Sequence, residues 1–220
     1  MQKSTKNQGQ KSRKVSIHSL TLYIGAVLIF VVFSVLSAIA GKNFLQIGNI
    51  MNIIVQSSII SVIAVGQTMV ILTGGIDLSV GSIVAFVGLS MGLLLLAGTP
   101  LWIAILIAIA AGAVLGLING ALISYGKVPA FIMTLGMMGI ARGLTLAINS
   151  GKPAAGFGPE LAGIANFNLF GVIPSFVIYV IVIYAIMAII LKRTRFGRYI
   201  YAIGGNISAA KLSVVNTSLS

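Results

Sequence analysis

Thr73-Gly74-Gly75-Ile76-Asp77-Leu78-Ser79-Val80-Gly81-Ser82 stands between two long apolar runs and marks where one membrane-length helix gives way to the next. Paired glycines reach backbone angles that a helix does not use. Asp77 followed by Ser79 supplies side-chain acceptors for the open amides of a helix start. The stretch therefore predicts a helix that breaks at Gly74 and Gly75 and re-enters through a capped N-terminus. Asp77 is the only Asp of the chain, and a carboxylate inside or at the edge of a bilayer needs a cap, a partner or water. Three roles are open to it: an N-cap, a part in a gate or solute path together with Gly74, Gly75 and Ser79, or proton coupling.

Outward from this break the chain reads as one made for lipid. Of its 220 residues 58% are hydrophobic and 7% charged, against about 25% charged in an ordinary soluble domain. Mean hydropathy is +1.12, which leaves too little polar surface for a water-exposed shell. A helix needs ~20 apolar residues to cross a ~30 Å hydrocarbon core. Six stretches qualify, at about 20 to 40, 50 to 72, 79 to 97, 101 to 124, 128 to 149 and 172 to 191. The expected fold class is all-α, a polytopic transmembrane helical bundle of about six spans belonging to a larger multispan fold. The first apolar run is longer than the 7 to 15 residues of a signal-peptide core, so it reads as an uncleaved span. Small residues recur on the helices, as in Gly112, Gly116 and Gly120, and such residues let membrane helices approach closely. That triplet is evidence of packing only.

Charge fixes an expected orientation. The formal charge is +12, from 14 Lys and Arg against Asp77 and Glu160 alone. Lys3, Lys6, Lys11, Arg13 and Lys14 precede the first span, and Lys192, Arg193, Arg195, Arg198 and Lys211 follow the last. Basic flanks on one side of a membrane follow the positive-inside rule. An even number of crossings returns the C-terminus to the side of the N-terminus, so parity and charge agree. The expected organisation is a basic cytoplasmic tail over 1–19, a transmembrane domain over 20–191 and a cytoplasmic segment over 192–220, with both ends of the chain cytoplasmic. Parity puts Asp77 near the cytoplasmic side and Arg142, a cation well inside the fifth span, nearer the outside. Arg142 is expected to face protein or to snorkel outward. No segment outside the membrane is long enough to build a basic, aromatic-laced surface for nucleic acid, which is excluded as a partner.

The residue inventory argues against an enzyme. A membrane aspartyl protease needs two carboxylates of its kind, and a membrane serine protease needs a His beside its nucleophile, whereas His18 sits at the lip of the first span. One His, one Asp and one Glu, dispersed along the chain, make no metal site. With no cysteine there is no disulfide and no thiolate chemistry. A glycine-rich phosphate loop with its Lys and Ser or Thr is lacking as well. No cofactor is expected on this chain, and energy from ATP would have to come from another polypeptide.

Three motifs carry a family resemblance. Ala64 and the run Gly66-Gln67-Thr68-Met69-Val70-Ile71-Leu72-Thr73-Gly74-Gly75-Ile76-Asp77-Leu78-Ser79-Val80-Gly81-Ser82 resemble permease subunits of ribose-type (monosaccharide) ABC importers. So do Phe131-Ile132-Met133-Thr134-Leu135-Gly136-Met137-Met138-Gly139-Ile140-Ala141-Arg142-Gly143 and Thr194-Arg195-Phe196-Gly197-Arg198-Tyr199-Ile200-Tyr201-Ala202-Ile203-Gly204-Gly205-Asn206. The resemblance covers nearly the whole chain after the N-terminal tail, with the motifs in order. It implies a multi-pass protein of the bacterial cytoplasmic (inner) membrane in which two permease copies form the path. A periplasmic or lipid-anchored binding protein delivers the monosaccharide, and cytoplasmic ATPase subunits drive alternating access. The local reading of the break and of the intramembrane charges gives the translocation or gating candidates as Gly74, Gly75, Asp77, Ser79 and Arg142. The resemblance implies that ATPase coupling falls on Arg195 to Asn216, especially Arg195, Gly197, Arg198, Gly204, Gly205, Asn206, Ala209 and Ala210. A plain basic flank that only fixes topology is the simpler reading of the same tail.

This sequence departs from the family pattern near its end. Ser208 precedes Ala209-Ala210 where the family usually has Glu, and Val214 follows Ser213 where a Gly is usual nearby. Family members also continue for roughly another four spans of ~20 residues, so the fold is expected to be incomplete after Ser220. Two other readings stay open: an ion-coupled secondary carrier, in which Asp77→Asn abolishes uptake and loss of an ATPase does not, and a truncated permease acting only in assembly.

Overall fold

The computed structural model describes residues 17–165, 167–169, 173–206 and 210. Among these described residues eight helices follow in order: α1 (Ile17–Ile39), α2 (Ile47–Leu72), α3 (Val80–Leu96), α4 (Leu101–Ser124), α5 (Ala130–Ile148), α6 (Pro159–Ala165), α7 (Ser175–Arg193) and α8 (Arg195–Gly205). Between α6 and α7 a two-stranded antiparallel ribbon pairs β1 (Asn168–Leu169) with β2 (Ile173–Pro174). Five of the helices (α1 from Leu20, α2, α4, α5 and α7) are long and apolar enough to cross a membrane. The third expected span is the short one: α3 has 17 residues, about 25 Å of helix. It is short because the chain is non-helical from Gly75 to Ser79, and such backbone at membrane depth is tolerated only where protein or water satisfies it.

Proline sets several helix starts. Pro100, Pro129 and Pro174 each stand at the N-cap with φ near −55° and extended ψ, the geometry that proline imposes on itself. Hydroxyls within the apolar helices are satisfied by bonding back one turn, as Ser58 to Ile54 O at 2.8 Å, Thr68 to Ala64 O at 2.7 Å and Ser90 to Phe86 O at 2.8 Å. That removes the cost of an unpaired polar group in hydrocarbon.

The chain divides into two compact units at Ile53/Ile54. In the first, the turn after α1 closes at Gly41, whose φ is +70°, and the ring of Phe30 meets Phe44 edge-on at 5.4 Å. Asn49 Nδ2 donates to Phe44 O at 2.8 Å and closes the turn into α2.

In the second unit α3 lies against both α4 and α5, which also touch each other, and α8 folds back on α7. The buried face of α4 is Leu101, Ala104, Ala108 and Asn119, and that of α5 is Thr134, Met137 and Ala141. Both are helical spacings of mostly small side chains, which is what lets three helices close up without large apolar cores. Of the glycine triplet on α4, only Gly112 faces a neighbour, with Val87 beside it, whereas Gly116 and Gly120 look into open space.

This unit has two distinguishable ends. At one, Gln67 near the end of α2, Ser79 at the start of α3, Asn119 near the end of α4 and Thr134 near the start of α5 come together, and α8 reaches the end of α2 at Leu72. At the other, Phe157 lies on Gly92 of α3 so closely that a Cβ there would come within 2.8 Å of the ring. A cleft lined by Leu95, the turn from Gly98 to Leu101 and Gly158 to Leu161 adjoins that end. The long connection between α5 and α7 is thus partly built, with α6 tied to α7 by Tyr179 Oη donating to Ile164 O at 3.0 Å.

Candidate functional site

The break after α2 is a Schellman closure. Gly74 has φ +79°, its N–H donates to Ile71 O at 2.9 Å, and the Gly75 N–H reaches back to Val70 O at 2.9 Å. Those two bonds satisfy the last carbonyls of the helix and turn the chain away. Gly75 sits close under Val70, where a Cβ would lie 3.1 Å from Cγ1 and 3.3 Å from the carbonyl oxygen.

Three helices then hold the non-helical residues in place. From α2, Gln67 Nε2 donates to Asp77 O at 2.9 Å. From α5, the Thr134 hydroxyl bonds back to Ala130 O at 2.8 Å and stands 3.2 Å from Ile76 O. The Asp77 carboxylate accepts from the Ser79 N–H at 2.7 Å and from its hydroxyl at 2.6 Å. From α4, Asn119 Nδ2 donates to Ser79 Oγ at 3.0 Å. Ser79, at the head of α3, is fully buried. Asn119 and Thr134 are 6% and 2% exposed, so these are interior polar contacts in which each lost bond is costly. The Oδ1 of Asn119 is buried without a hydrogen-bond partner.

The expected capping arrangement differs in detail. Ser79, not Asp77, occupies the N-cap of α3, and its side chain makes no bond to the helix amides. The Asp77 carboxylate is the stronger acceptor. It draws the Ser79 hydroxyl toward itself, so the Asx-type turn lies just ahead of the helix.

Gly74, Gly75, Asp77 and Ser79 are therefore brought together, while Arg142 is not. It stands eight residues beyond Thr134 on α5, about 12 Å further along the axis, and its side chain is exposed, on the face away from Met137 and Ala141. Asn119 was not singled out from sequence, and Gln67 and Thr134 entered only inside quoted motifs. Each is a lone polar side chain on a long apolar helix, and that isolation was the available signal.

The second cluster is built on α8. The Thr194 hydroxyl donates to Ile190 O at 2.6 Å and accepts from the Gly197 N–H at 3.2 Å, closing α7 and capping α8 with one side chain. Gly197 and Ile200 are buried and Arg195, Phe196, Arg198 and Tyr199 are exposed, which makes α8 strongly two-faced. A Cβ at Gly197 would run into the backbone of Leu191, and one at Gly204 would overlap the carbonyl oxygen of Leu72. Gly205 has open space around it. The Asn206 N–H continues the ladder to Ala202 O, and Ala210, buried at 3% exposure, donates to Asn206 O at 2.9 Å. Ala209 lies outside the described residues. Beside α8 a cavity of about 240 Å³ opens between α2 and α7, mostly apolar, with Tyr184, Lys192 and Tyr201 on its wall.

The chain matches the family described as the branched-chain amino acid transport system permease component over residues 49–219. It is 36% identical over 200 residues to the ribose import permease protein RbsC of Haemophilus influenzae, an alignment covering 89% of this chain and 60% of that one. Against the protein of the same name from Bacillus subtilis the figures are 36%, 89% and 60%. The D-allose transport system permease protein AlsC of Escherichia coli is 36% identical over 197 residues, covering 89% of this chain and 59% of that protein. The chain thus spans about 60% of the length of these curated relatives. No solved structure matches it. With five membrane-length helices among its described residues, the broken-helix segment between α2 and α3 and a family match across most of its length, the chain belongs to this family of transport-system permease components.

Proposed function

We propose that this chain is the membrane-spanning permease part of an ATP-driven importer for ribose or a related monosaccharide, working in a bacterial cytoplasmic membrane. Its relatives are named for ribose and allose, and the spans hold no cluster of cations that would favour an anionic solute. A second permease copy completes the path, a sugar-binding protein delivers the solute, and a separate ATPase supplies the energy.

The observation that carries the reading is α8. It is a capped, two-faced helix held to the rest of the protein through its glycines, with Arg195, Phe196, Arg198 and Tyr199 turned outward. A helix held firmly on one side and presenting cations and aromatics on the other is fitted to dock a partner. On this reading it docks the ATPase, and the Gly74–Ser79 segment at the same end of the bundle is the part that opens and closes the path.

Co-purification of the chain with a cognate ATPase tests this. Gly205 faces open space, so Gly205→Arg adds bulk to the outer face without disturbing the fold. Retention of the ATPase by the parent chain and its loss from Gly205→Arg is the expected outcome. A parent chain that retains no ATPase sinks the docking role.

A further inference from the structure

We infer that the contact between Gly204 and the Leu72 carbonyl is the joint through which displacement of α8 reaches the Gly74–Ser79 segment. The inference rests on the permease reading, in which α8 is where the ATPase docks. The contact is one of backbone on backbone: a Cβ at Gly204 would overlap Leu72 O, lie 3.0 Å from Leu72 C and come within 3.8 Å of Thr73 Cα. Side-chain contacts can absorb a push by changing rotamer. Two backbones in contact cannot, so movement at Gly204 is passed to the last turn of α2.

That last turn is tied to the segment beyond it. The Gly74 N–H is held by Ile71 O and the Gly75 N–H by Val70 O, both at 2.9 Å, and Gln67 of the same helix holds Asp77 O. At its other end α8 is fixed to α7 by the Thr194 cap and by Gly197 lying on the Leu191 backbone. The helix is thus a lever of 11 residues, about 16 Å long, anchored at Thr194 and bearing on α2 at Gly204. A Cβ at Gly205, one residue on, would meet nothing within 4 Å, so the close approach to α2 is at Gly204.

The chain has no cysteine, so Ile76→Cys, at a side chain 54% exposed, is a clean reporter of the segment. Its alkylation rate is measured in the membrane complex with the ATPase, nucleotide-free and vanadate-trapped, in the parent, Gly204→Ala and Gly116→Ala backgrounds. A Cβ at Gly116 meets nothing within 4 Å. The expected result is a severalfold nucleotide-dependent change in the parent and in Gly116→Ala, abolished in Gly204→Ala with the amount of bound ATPase unchanged. Thr194→Ala, which frees the anchored end without touching Leu72, lowers the same response and serves if Gly204→Ala does not fold. The joint is overturned by an unaltered response in Gly204→Ala, or in Thr194→Ala when that variant is the one read. It is equally overturned by a parent that shows no response, or by loss of ATPase from Gly204→Ala, which would make the residue part of the docking surface. If the parent binds no ATPase, it is the docking reading that fails. The joint is then judged on the chain alone: a changed Ile76→Cys rate confined to Gly204→Ala upholds it, and equal rates overturn it.

Discussion

At Gly74 the backbone takes φ +79° with nothing within 4 Å of where a Cβ would stand. The cost of a side chain there is therefore conformational and not steric. Gly74→Ala should destabilise the protein by about 1–2 kcal/mol, seen as a lower thermal midpoint in detergent, while Gly116→Ala in an ordinary helix leaves the midpoint no lower. At Asp77 the distinction is between charge and acceptor. Both Ser79 groups bond to the one oxygen Oδ1, which Asn also possesses. Asp77→Asn should keep the turn and, on the importer reading, keep sugar uptake in the reconstituted complex. Asp77→Ala loses both bonds and should cost about 1–3 kcal/mol. Uptake abolished by Asp77→Asn in a well-folded protein, and independent of an ATPase, would favour the ion-coupled reading instead.

Among the elements, α8 most repays disturbance, because its N-cap Thr194 and its Gly197 fasten it to α7. Thr194→Ala removes the cap and should cost about 1 kcal/mol, read as faster amide exchange at residues 196–198. Gly197→Ala forces α8 off the Leu191 backbone, so trypsin should cut after Arg198 much faster than in the parent, with α2 to α5 intact. Equal cutting rates would mean that α8 is not held by this contact. At the opposite end Phe157 on Gly92 does similar work for the α5–α7 connection, a stretch of about 20 residues that apolar patterning alone leaves as a loop. Its Gly, Pro and Phe content carries no period, so α6 and the short ribbon were not legible before the tertiary contacts were seen.

Across the whole molecule, the two ends of the second unit should lie on opposite faces of the membrane. α4 runs between them for 24 residues, about 36 Å. In a cysteine-free chain, Glu160→Cys and Arg198→Cys should react with an impermeant maleimide from opposite sides, and labelling of both from one side would overturn the arrangement. The sequence by itself determined that this chain is a helical bundle in lipid, because ~20 consecutive apolar residues admit few other fates. It also determined where α2 stops, because paired glycines and a following Asp and Ser are local signals read from the chain itself. What surrounds the break was decided only by tertiary structure. Asn119 meets Ser79 across 40 positions and Thr134 approaches Ile76 across 58, and Gly204 bears on Leu72 from another helix altogether. Hydropathy records how many residues cross the membrane. Which polar side chains face one another depends on helix rotation and approach, which are set by packing between segments far apart in the chain.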